Sequence, residues 1–278
     1  MKVLIVGSNG ALGTEFVKLY ADHQVTAWDR SELDITDADQ VASKVVELNP
    51  ELIINCAAYN AVDKAEAEET ELANKINGYA VGYLADAANQ VGATLVHFST
   101  NYVFDGNDSK GYTEDSEPHP ISQYGNSKFL GETQGKRAQK FYLIRTAWLF
   151  GGVNAQGKKS FIDLMSEKAL GIEELKLVND EFGNPTYVVD LAQATRALIE
   201  TGKPPGIYHL VNEGSAAWAD WAREIFKIKN LNPKTVDVSS KEFKRPALRP
   251  QYGILNNTKF IQLRPWQESL EEYLNRNK

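Results

Sequence analysis

The sequence predicts an α/β fold in which a doubly wound parallel sheet is followed by a smaller C-terminal region. Short apolar runs rich in β-branched residues alternate with amphipathic helical patterns through the first 150 residues. A glycine-rich turn separates the first apolar run from the first helical pattern. This alternation is typical of a parallel sheet with helices on both faces.

The first strand, residues 2–6, leads into three glycines and then into a helical pattern. Gly7 would allow a tight turn, Gly10 would let the backbone approach a pyrophosphate, and Gly13 would let helix and strand pack closely. The helix N-terminus would then offer free N–H groups to the phosphates. This context favours a Rossmann-type dinucleotide site over a glycine-rich turn without ligand. The residues expected to bind cofactor here are Gly7, Asn9, Gly10, Ala11, Leu12 and Gly13.

The second strand, residues 24–28, ends at Asp29 and Arg30. A carboxylate at this position normally accepts from the ribose 2′-hydroxyl of NAD, whereas an arginine can pair with the 2′-phosphate of NADP. Because both are present, we expect NADPH and NADH to be accepted, with NADPH slightly preferred. Asp34 and Ile35 are expected near the adenine, although a plain loop is an equal alternative.

The third strand, residues 52–55, is followed by Ala57, Ala58 and Tyr59, a segment expected to turn over the cofactor. Small residues there would let the backbone lie against it. A helix is predicted over residues 71–91.

The fourth strand, residues 94–98, runs into Thr100, Asn101 and Tyr102 at a carboxyl end, where ligands bind in such sheets. Thr100 would hydrogen-bond a substrate carbonyl, or it would form a simple hydroxyl turn.

Tyr124 and Lys128 are four residues apart after a polar loop at 106–120. On a helix they share one face. An ammonium near a phenol favours the phenolate and lowers the phenol's pKa. The pair could therefore give a proton to a carbonyl oxygen. By spacing alone, an ordinary exposed pair is the more frequent explanation.

A fifth strand is predicted at 142–146, a helix at 160–170, a sixth sheet strand at 175–178 and a helix packed on the sheet at 190–200. We therefore assign residues 1–150, completed by 175–200, to a dinucleotide-binding domain. Residues 151–278 are assigned mainly to a substrate-binding domain. The last helix has an apolar face that would serve the core or a subunit contact, and a homodimer is compatible with it.

Four cations stand close together in the sequence of an otherwise acidic protein, and a diphosphate needs such partners. A solvated surface cluster is the equal alternative. The cations are Lys241, Lys244, Arg245 and Arg249.

Composition narrows the class of protein. The net charge of −7 argues against general nucleic-acid binding. The single cysteine, Cys56, excludes a disulfide framework, and the four scattered histidines offer no metal motif. Glu15 is a weak metal candidate at most, so no metal is predicted. No membrane-length apolar run or signal peptide is present, and a cytoplasmic location is the default expectation.

Several longer strings resemble the extended short-chain dehydrogenase/reductases, and among them the dTDP-4-dehydrorhamnose reductase family. They lie at 55–66, 99–106, 145–148 and 180–186, and the similarity continues to the C-terminal helix. The resemblance implies NAD(P)H-dependent reduction of the C4 ketone of a dTDP-bound 6-deoxyhexulose to dTDP-L-rhamnose. It further implies that Tyr124 is the general acid, that Lys128 holds the nicotinamide ribose, and that Thr100 polarises the ketone. The substrate-binding residues that it implies are Thr100, Asn101, Tyr102, Trp148 and Arg249.

The sequence departs from the family pattern at Asn101, where aspartate is usual, and at Asn60, where threonine is frequent. Both positions concern the identity of the sugar more than the reaction. Two other functions fit the same resemblance: a nucleotide-sugar epimerase that keeps its cofactor, and a non-catalytic subunit like the regulatory subunit of methionine adenosyltransferase.

Overall fold

A computed structural model describes residues 1–152, 159–171 and 173–276. Its centre is a six-stranded sheet in the order β10-β5-β4-β3-β1-β2, and every pairing in this sheet is parallel. The α/β fold with a parallel central sheet is therefore confirmed. The strands are β1 Lys2–Val6, β2 Gln24–Trp28, β3 Leu52–Asn55, β4 Thr94–Thr100, β5 Phe141–Thr146, β6 Leu149–Phe150, β7 Leu175–Val178, β8 Phe182–Gly183, β9 Thr186–Tyr187, β10 Gly206–His209, β11 Ala216–Ala217 and β12 Thr235–Val238.

Helices cover both faces of this sheet. Residues Val3 to Val6 are buried on both faces, which explains why β1 is a continuous apolar run rather than an alternating one. The helices are α1 Ala11–Leu19, α2 Ala38–Leu48, α3 Val62–Ala67, α4 Thr70–Asn74, α5 Ala80–Val91, α6 Gln123–Gly135, α7 Phe161–Gly171, α8 Val188–Glu200, α9 Trp218–Ile228 and α10 Trp266–Arg276. A π-helical turn, Lys75–Tyr79, joins α4 to α5, so the predicted helix over 71–91 is continuous but widened in its first half.

The order of strands reverses between β1 and β3, because the chain leaves β1 for β2 on one side and later returns to β3 on the other. Ligands of open parallel sheets bind at the carboxyl ends of the strands beside such a switch point. The segments that follow β1 and β3 therefore form the floor of the candidate site.

The prediction that residues 175–178 form the sixth strand of the sheet is wrong. That position belongs to Gly206–His209, which pairs with β5, whereas Leu175–Val178 pairs with Thr235–Val238 in a separate two-stranded sheet. Leu175 and Leu177 are buried but Lys176 between them is exposed, so one face of this strand meets solvent. A strand inside the central sheet is covered on both faces. Helix α8 does pack beside α1 on the central sheet, as expected.

The apolar face of the last helix lies in the core of the same chain. Trp266, Leu270 and Leu274 are all buried there. The described residues include no helix that is both long and apolar enough to cross a membrane.

Candidate active site

The turn after β1 has the geometry of a phosphate-binding loop. Gly7 has a φ of +73°, and a Cβ added to it would lie 2.6 Å from the Ala57 backbone nitrogen. A Cβ at Gly13 would lie 2.3 Å from the Gly7 carbonyl oxygen, so helix α1 can approach β1 only with glycine there. At Gly10 a Cβ would meet the Gly7 carbonyl at 3.4 Å and no other described atom within 4 Å. The backbone in front of Gly10 therefore faces open space.

That space is a groove of about 730 Å³ along the switch point. The groove has the shape and the glycine cradle that an extended dinucleotide requires, so the residues present fit NADP(H) or NAD(H). Predicted cofactor residues that line it are Gly7, Gly10, Ala11, Asp29, Arg30, Asp34, Ile35, Ala57 and Ala58.

Other predicted cofactor residues lie around the groove without lining it. The Leu12 side chain packs in the main core and Gly13 is buried behind it, so both can offer only backbone atoms. Asn9 is exposed and its amide donates to the Asp29 carboxylate.

Sequence reasoning missed much of the opposite wall of the groove. Phe150, Ser160, Phe161, Trp221 and Tyr273 come from the second half of the chain. No local pattern marks them, because the tertiary fold alone brings them beside the glycine turn.

Asp29 and Arg30 line the groove directly after β2. The Asp29 carboxylate accepts from the Ser31 backbone N–H and hydroxyl, both at 2.8 Å, and these bonds hold the pKa of Asp29 below its usual range. The Arg30 side chain is 80% exposed and its Nε lies 3.6 Å from the Asp34 carboxylate. Arg30 can therefore turn toward a 2′-phosphate at little cost.

Asn77, which the sequence analysis did not single out, fixes the loop after β3. Its Oδ1 accepts from the Tyr59 N–H at 2.8 Å, and its Nδ2 donates to the Tyr59 carbonyl at 2.9 Å and to Ser127 Oγ at 3.0 Å. Asn77 lies in the π-helical turn, and such turns are frequent at functional sites. It links the cofactor loop, where Tyr59 lies, to helix α6.

Helix α6 carries Tyr124 and Lys128 into the interior. Ser122 caps the helix by accepting from the Gly125 N–H at 3.1 Å. Tyr124 is 8% exposed and Lys128 is 3% exposed, so this is not the ordinary exposed pair that spacing alone favoured. The Lys128 ammonium donates to the Phe98 carbonyl of β4 at 2.6 Å.

Burial decides the protonation of both groups. It raises the pKa of Tyr124, with a further increase from Tyr102, and a hydrogen bond with Thr100 only partly opposes this. The expected lowering of this pKa by Lys128 is therefore not found. Burial also lowers the pKa of Lys128 to about 8, although Glu132 acts in the opposite direction. At neutral pH the phenol keeps its proton and most of the lysine is charged.

A buried ion pair supports Lys128 from one helical turn away. Glu132 accepts from Arg145 Nε at 2.9 Å, from Arg145 Nη2 at 2.7 Å and from Ser99 Oγ at 2.6 Å. Glu132 and Arg145 are almost fully buried. Together these bonds fasten helix α6 to strands β4 and β5 beneath Tyr124 and Lys128.

The segment after β4 forms the hydroxyl turn that was one of the two interactions considered for it. Thr100 Oγ1 accepts from the Tyr102 N–H at 3.3 Å, which closes the turn, and the Thr100 hydroxyl is close enough to the Tyr124 phenol to lower its pKa. The Tyr102 ring packs edge-on against Tyr124, with centroids 5.4 Å apart. Thr100 and Tyr102 therefore border the phenol of Tyr124.

The structure gives a reason for asparagine at position 101. The buried Asn101 amide donates to the Gly253 carbonyl at 2.8 Å, while its oxygen accepts from Thr100 at 3.2 Å. An aspartate could not donate to that carbonyl. The amide is thus used within the fold, and it does not by itself imply a different sugar.

Trp148 belongs to an aromatic cluster beside the site. Its φ is +44°, an unusual value for a side chain of this size. Its ring stacks on Trp218 at 3.7 Å, and a Cβ at Gly183 would lie 2.6 Å from the indole. The ring is half-buried, so one part of it packs in the cluster and another part is open to a ligand.

The predicted cationic cluster divides into two exposed lysines and two paired arginines. Lys241 and Lys244 are exposed. Arg245 pairs with Glu181, and Arg249 pairs with Asp63 through bonds of 2.9 and 2.8 Å.

Across the described ranges, no group of three or more His, Cys, Asp or Glu side chains could hold a metal ion. The Glu15 carboxylate pairs with Lys18 at 2.7 Å.

Comparison with known proteins identifies full-length relatives. The family model described as the RmlD substrate binding domain matches residues 1–278. A dTDP-4-dehydrorhamnose reductase of Streptomyces griseus is 36% identical, with 97% of this chain and 91% of that protein covered. The crystal structure of a dTDP-4-dehydrorhamnose reductase from Bacillus anthracis in complex with NADP is 37% identical, with 99% of each chain covered and a TM-score of 0.93. The crystal structure of a dTDP-4-dehydrorhamnose reductase from Clostridium acetobutylicum is 40% identical and has a TM-score of 0.94. The match covers 100% of this chain and 99% of the Clostridium chain.

Proposed function

The chain belongs to the family of the RmlD substrate binding domain, and from this premise we propose that it reduces the C4 ketone of a dTDP-bound 6-deoxyhexulose, giving dTDP-L-rhamnose. The electron donor is NADPH or NADH. The observation that carries the proposal is the buried Tyr124 phenol, which lies beside the Thr100 hydroxyl and is followed one turn later by the buried Lys128. These groups lie where β4 ends, beside the dinucleotide groove.

The groove residues bind and orient the cofactor. The backbone around Gly10 and the N-terminus of α1 would hold the pyrophosphate, and Asp29 and Arg30 would hold the adenosine ribose. The bound nicotinamide supplies a hydride to the substrate carbon. Small side chains at Ala57 and Ala58 leave room for the dinucleotide along the loop after β3.

Tyr124 supplies the proton. Because burial raises its pKa, the phenol stays protonated at neutral pH and can donate to the carbonyl oxygen as negative charge develops there. Thr100 can donate a second hydrogen bond to the same oxygen when its hydroxyl turns away from Asn101 Oδ1, to which it donates at 3.2 Å in this structure. Tyr102, packed edge-on, holds the Tyr124 ring in place and restricts access of water.

Lys128 provides a positive charge beneath the site. Its bond to the Phe98 carbonyl fixes the ammonium, and with a pKa of about 8 most of it is charged at pH 7. We assign it to the nicotinamide ribose hydroxyls. Trp148, Tyr102, Asn101 and Arg249 form the surface proposed to receive the sugar nucleotide.

The test is a steady-state assay of nicotinamide oxidation with the purified protein and dTDP-4-dehydro-6-deoxy-L-mannose. One reduced nicotinamide should be consumed for each dTDP-L-rhamnose detected by mass spectrometry. A product formed without net consumption would instead identify an epimerase. If neither a product nor consumption of the nicotinamide were observed, the proposal would be rejected.

We further propose that the protein acts in the cytoplasm and forms homodimers. The first point is supported by the single cysteine, which cannot form a disulfide within the chain. The second is supported by the exposed ring of Tyr79, at the end of the π-helical turn. Sedimentation velocity at micromolar concentration tests the dimer.

A further inference from the structure

The segment 243–250, called the strap below, is anchored to both halves of the molecule. Arg245 pairs with Glu181, in the residues that precede β8. The Ala247 N–H and the Arg249 guanidinium both bind the Asp63 carboxylate of helix α3, which follows the cofactor loop directly. The strap therefore ties the predicted diphosphate-binding arginine to the part of the chain that holds the dinucleotide.

The hydrogen bonds that Arg249 makes within the protein leave one edge of its guanidinium group unused. A guanidinium has five N–H donors. Nη1 donates to Asp63 Oδ1 at 2.9 Å and to the Ala247 carbonyl at 2.7 Å, and Nη2 donates to Asp63 Oδ2 at 2.8 Å. These three bonds leave the Nε–H and the outer Nη2–H with no partner among the described residues. The two N–H groups lie on the same edge of the plane, and that edge is the one that pairs with a phosphate through two parallel bonds.

The position of Arg249 is consistent with binding a phosphate of the substrate. Its charge interacts with the Tyr102 phenol, and the Tyr102 ring packs on Tyr124. The guanidinium is therefore close enough to the proposed proton donor for its charge to act on the ring that packs against Tyr124. The Arg249 side chain is 14% exposed and that of Asp63 is 42% exposed. Arg249 is thus largely enclosed, while water can still reach the Asp63 carboxylate.

We propose that Asp63 is a positioning residue for the sugar nucleotide: it fixes Arg249 so that the unused Nε/Nη2 edge receives the diphosphate. This inference rests on the proposed function for the identity of the ligand as a nucleoside diphosphate sugar. Asp63 touches Arg249 and not the substrate, so its loss should affect binding and leave the chemical step almost intact.

The experiment compares Asp63→Asn, Asp63→Glu and the wild type by two measurements. In turnover, Asp63→Asn should raise the KM for the sugar nucleotide about 10-fold or more, the scale expected when a binding group is misplaced. The kcat and the NADPH dissociation constant should stay within about 2-fold of wild type, because the groove is unchanged. Asp63→Glu keeps the carboxylate and should recover most of the loss.

Calorimetric titration with dTDP alone separates this inference from the proposed function. Weaker dTDP binding by Asp63→Asn would support the positioning role even if the wild type reduced no 4-keto sugar. Unchanged or tighter binding would overturn it, since Asp63 would then be irrelevant to the diphosphate or would compete with it. Glu242→Gln is the matched control: it makes the same change of charge beside the strap, at a residue that pairs with Lys176. An equal effect in this control would mean that net charge and not geometry is responsible, which would also overturn the inference.

Discussion

Replacing Lys128 with methionine should make the protein more stable while abolishing its catalytic function. Lys128 is buried, and burial lowers its pKa from 10.5 to about 8. Each pKa unit corresponds to about 1.36 kcal/mol, so keeping the charged form in the folded state costs about 3 kcal/mol at pH 7. Methionine has a similar length and no charge, and it removes this cost. It also removes the hydrogen bond to the Phe98 carbonyl, worth about 1 kcal/mol. The expected gain is therefore about 2 kcal/mol.

The sign of the pH dependence follows from the same pKa. The unfolded chain binds the Lys128 proton more tightly than the folded chain does. The free energy of unfolding of the wild type therefore increases as the pH rises from about 8 toward 10.5, because the cost of the buried charge is progressively lost. The stability difference between the methionine variant and the wild type should be largest below pH 8. It should shrink steadily above that value and be close to zero near pH 10, where the remaining cost of the charge is similar to the lost hydrogen bond.

The assay is equilibrium unfolding in urea at pH 7 and pH 10, with Lys136→Met as control. Lys136 is exposed at the end of the same helix, so its replacement should give no pH-dependent difference. A Lys128→Met variant that is less stable than wild type at pH 7 would refute the argument. A gain that is the same at both pH values would do so as well, because it would then come from packing.

Three other substitutions test the site. Tyr124→Phe keeps the packed ring but has no proton to give, so kcat should fall about 10²–10⁴-fold while the NADPH dissociation constant is unchanged; near wild-type turnover would exclude Tyr124 as the acid. Asn101→Asp removes the donor to the Gly253 carbonyl, so the free energy of unfolding should fall by about 1–3 kcal/mol. The KM for the rhamnose precursor should rise, whereas a lower KM would mean that the carboxylate binds the sugar directly. Arg30→Ala should weaken NADPH binding in fluorescence titrations and leave NADH nearly unaffected, because only NADPH has a 2′-phosphate; an equal loss for both would place Arg30 away from the ribose.

The parts of the fold that depend on local pattern could be predicted from the sequence. The glycine turn and the first five strands are examples, since buried parallel strands are continuous apolar runs and Gly7 must adopt a positive φ. The sixth strand could not be assigned in this way. Leu175–Val178 and Gly206–His209 are both short and partly apolar, and only the tertiary arrangement after β5 decides which of them joins the sheet.

The candidate site could likewise be predicted only where it depends on local sequence. The spacing of Tyr124 and Lys128 predicts that they are neighbours, but the direction of their pKa values depends on burial that the spacing does not contain. Asn77 carries no recognisable signal, because its role depends on a π-helical turn. The reason for Asn101 lies 152 positions further along the chain, at Gly253.

That last contact sets a lower limit on how much of the chain must be synthesised before the substrate turn is complete. Domains form progressively as the chain emerges, and contacts between distant positions are the slowest to be made. A nascent chain that has released β1 to β5 has the glycine turn and the strand ends around it. Its substrate turn at Asn101 stays without the acceptor that orients it until the ribosome has translated Gly253. The order of the chain therefore delays catalytic competence until almost the whole protein has been made.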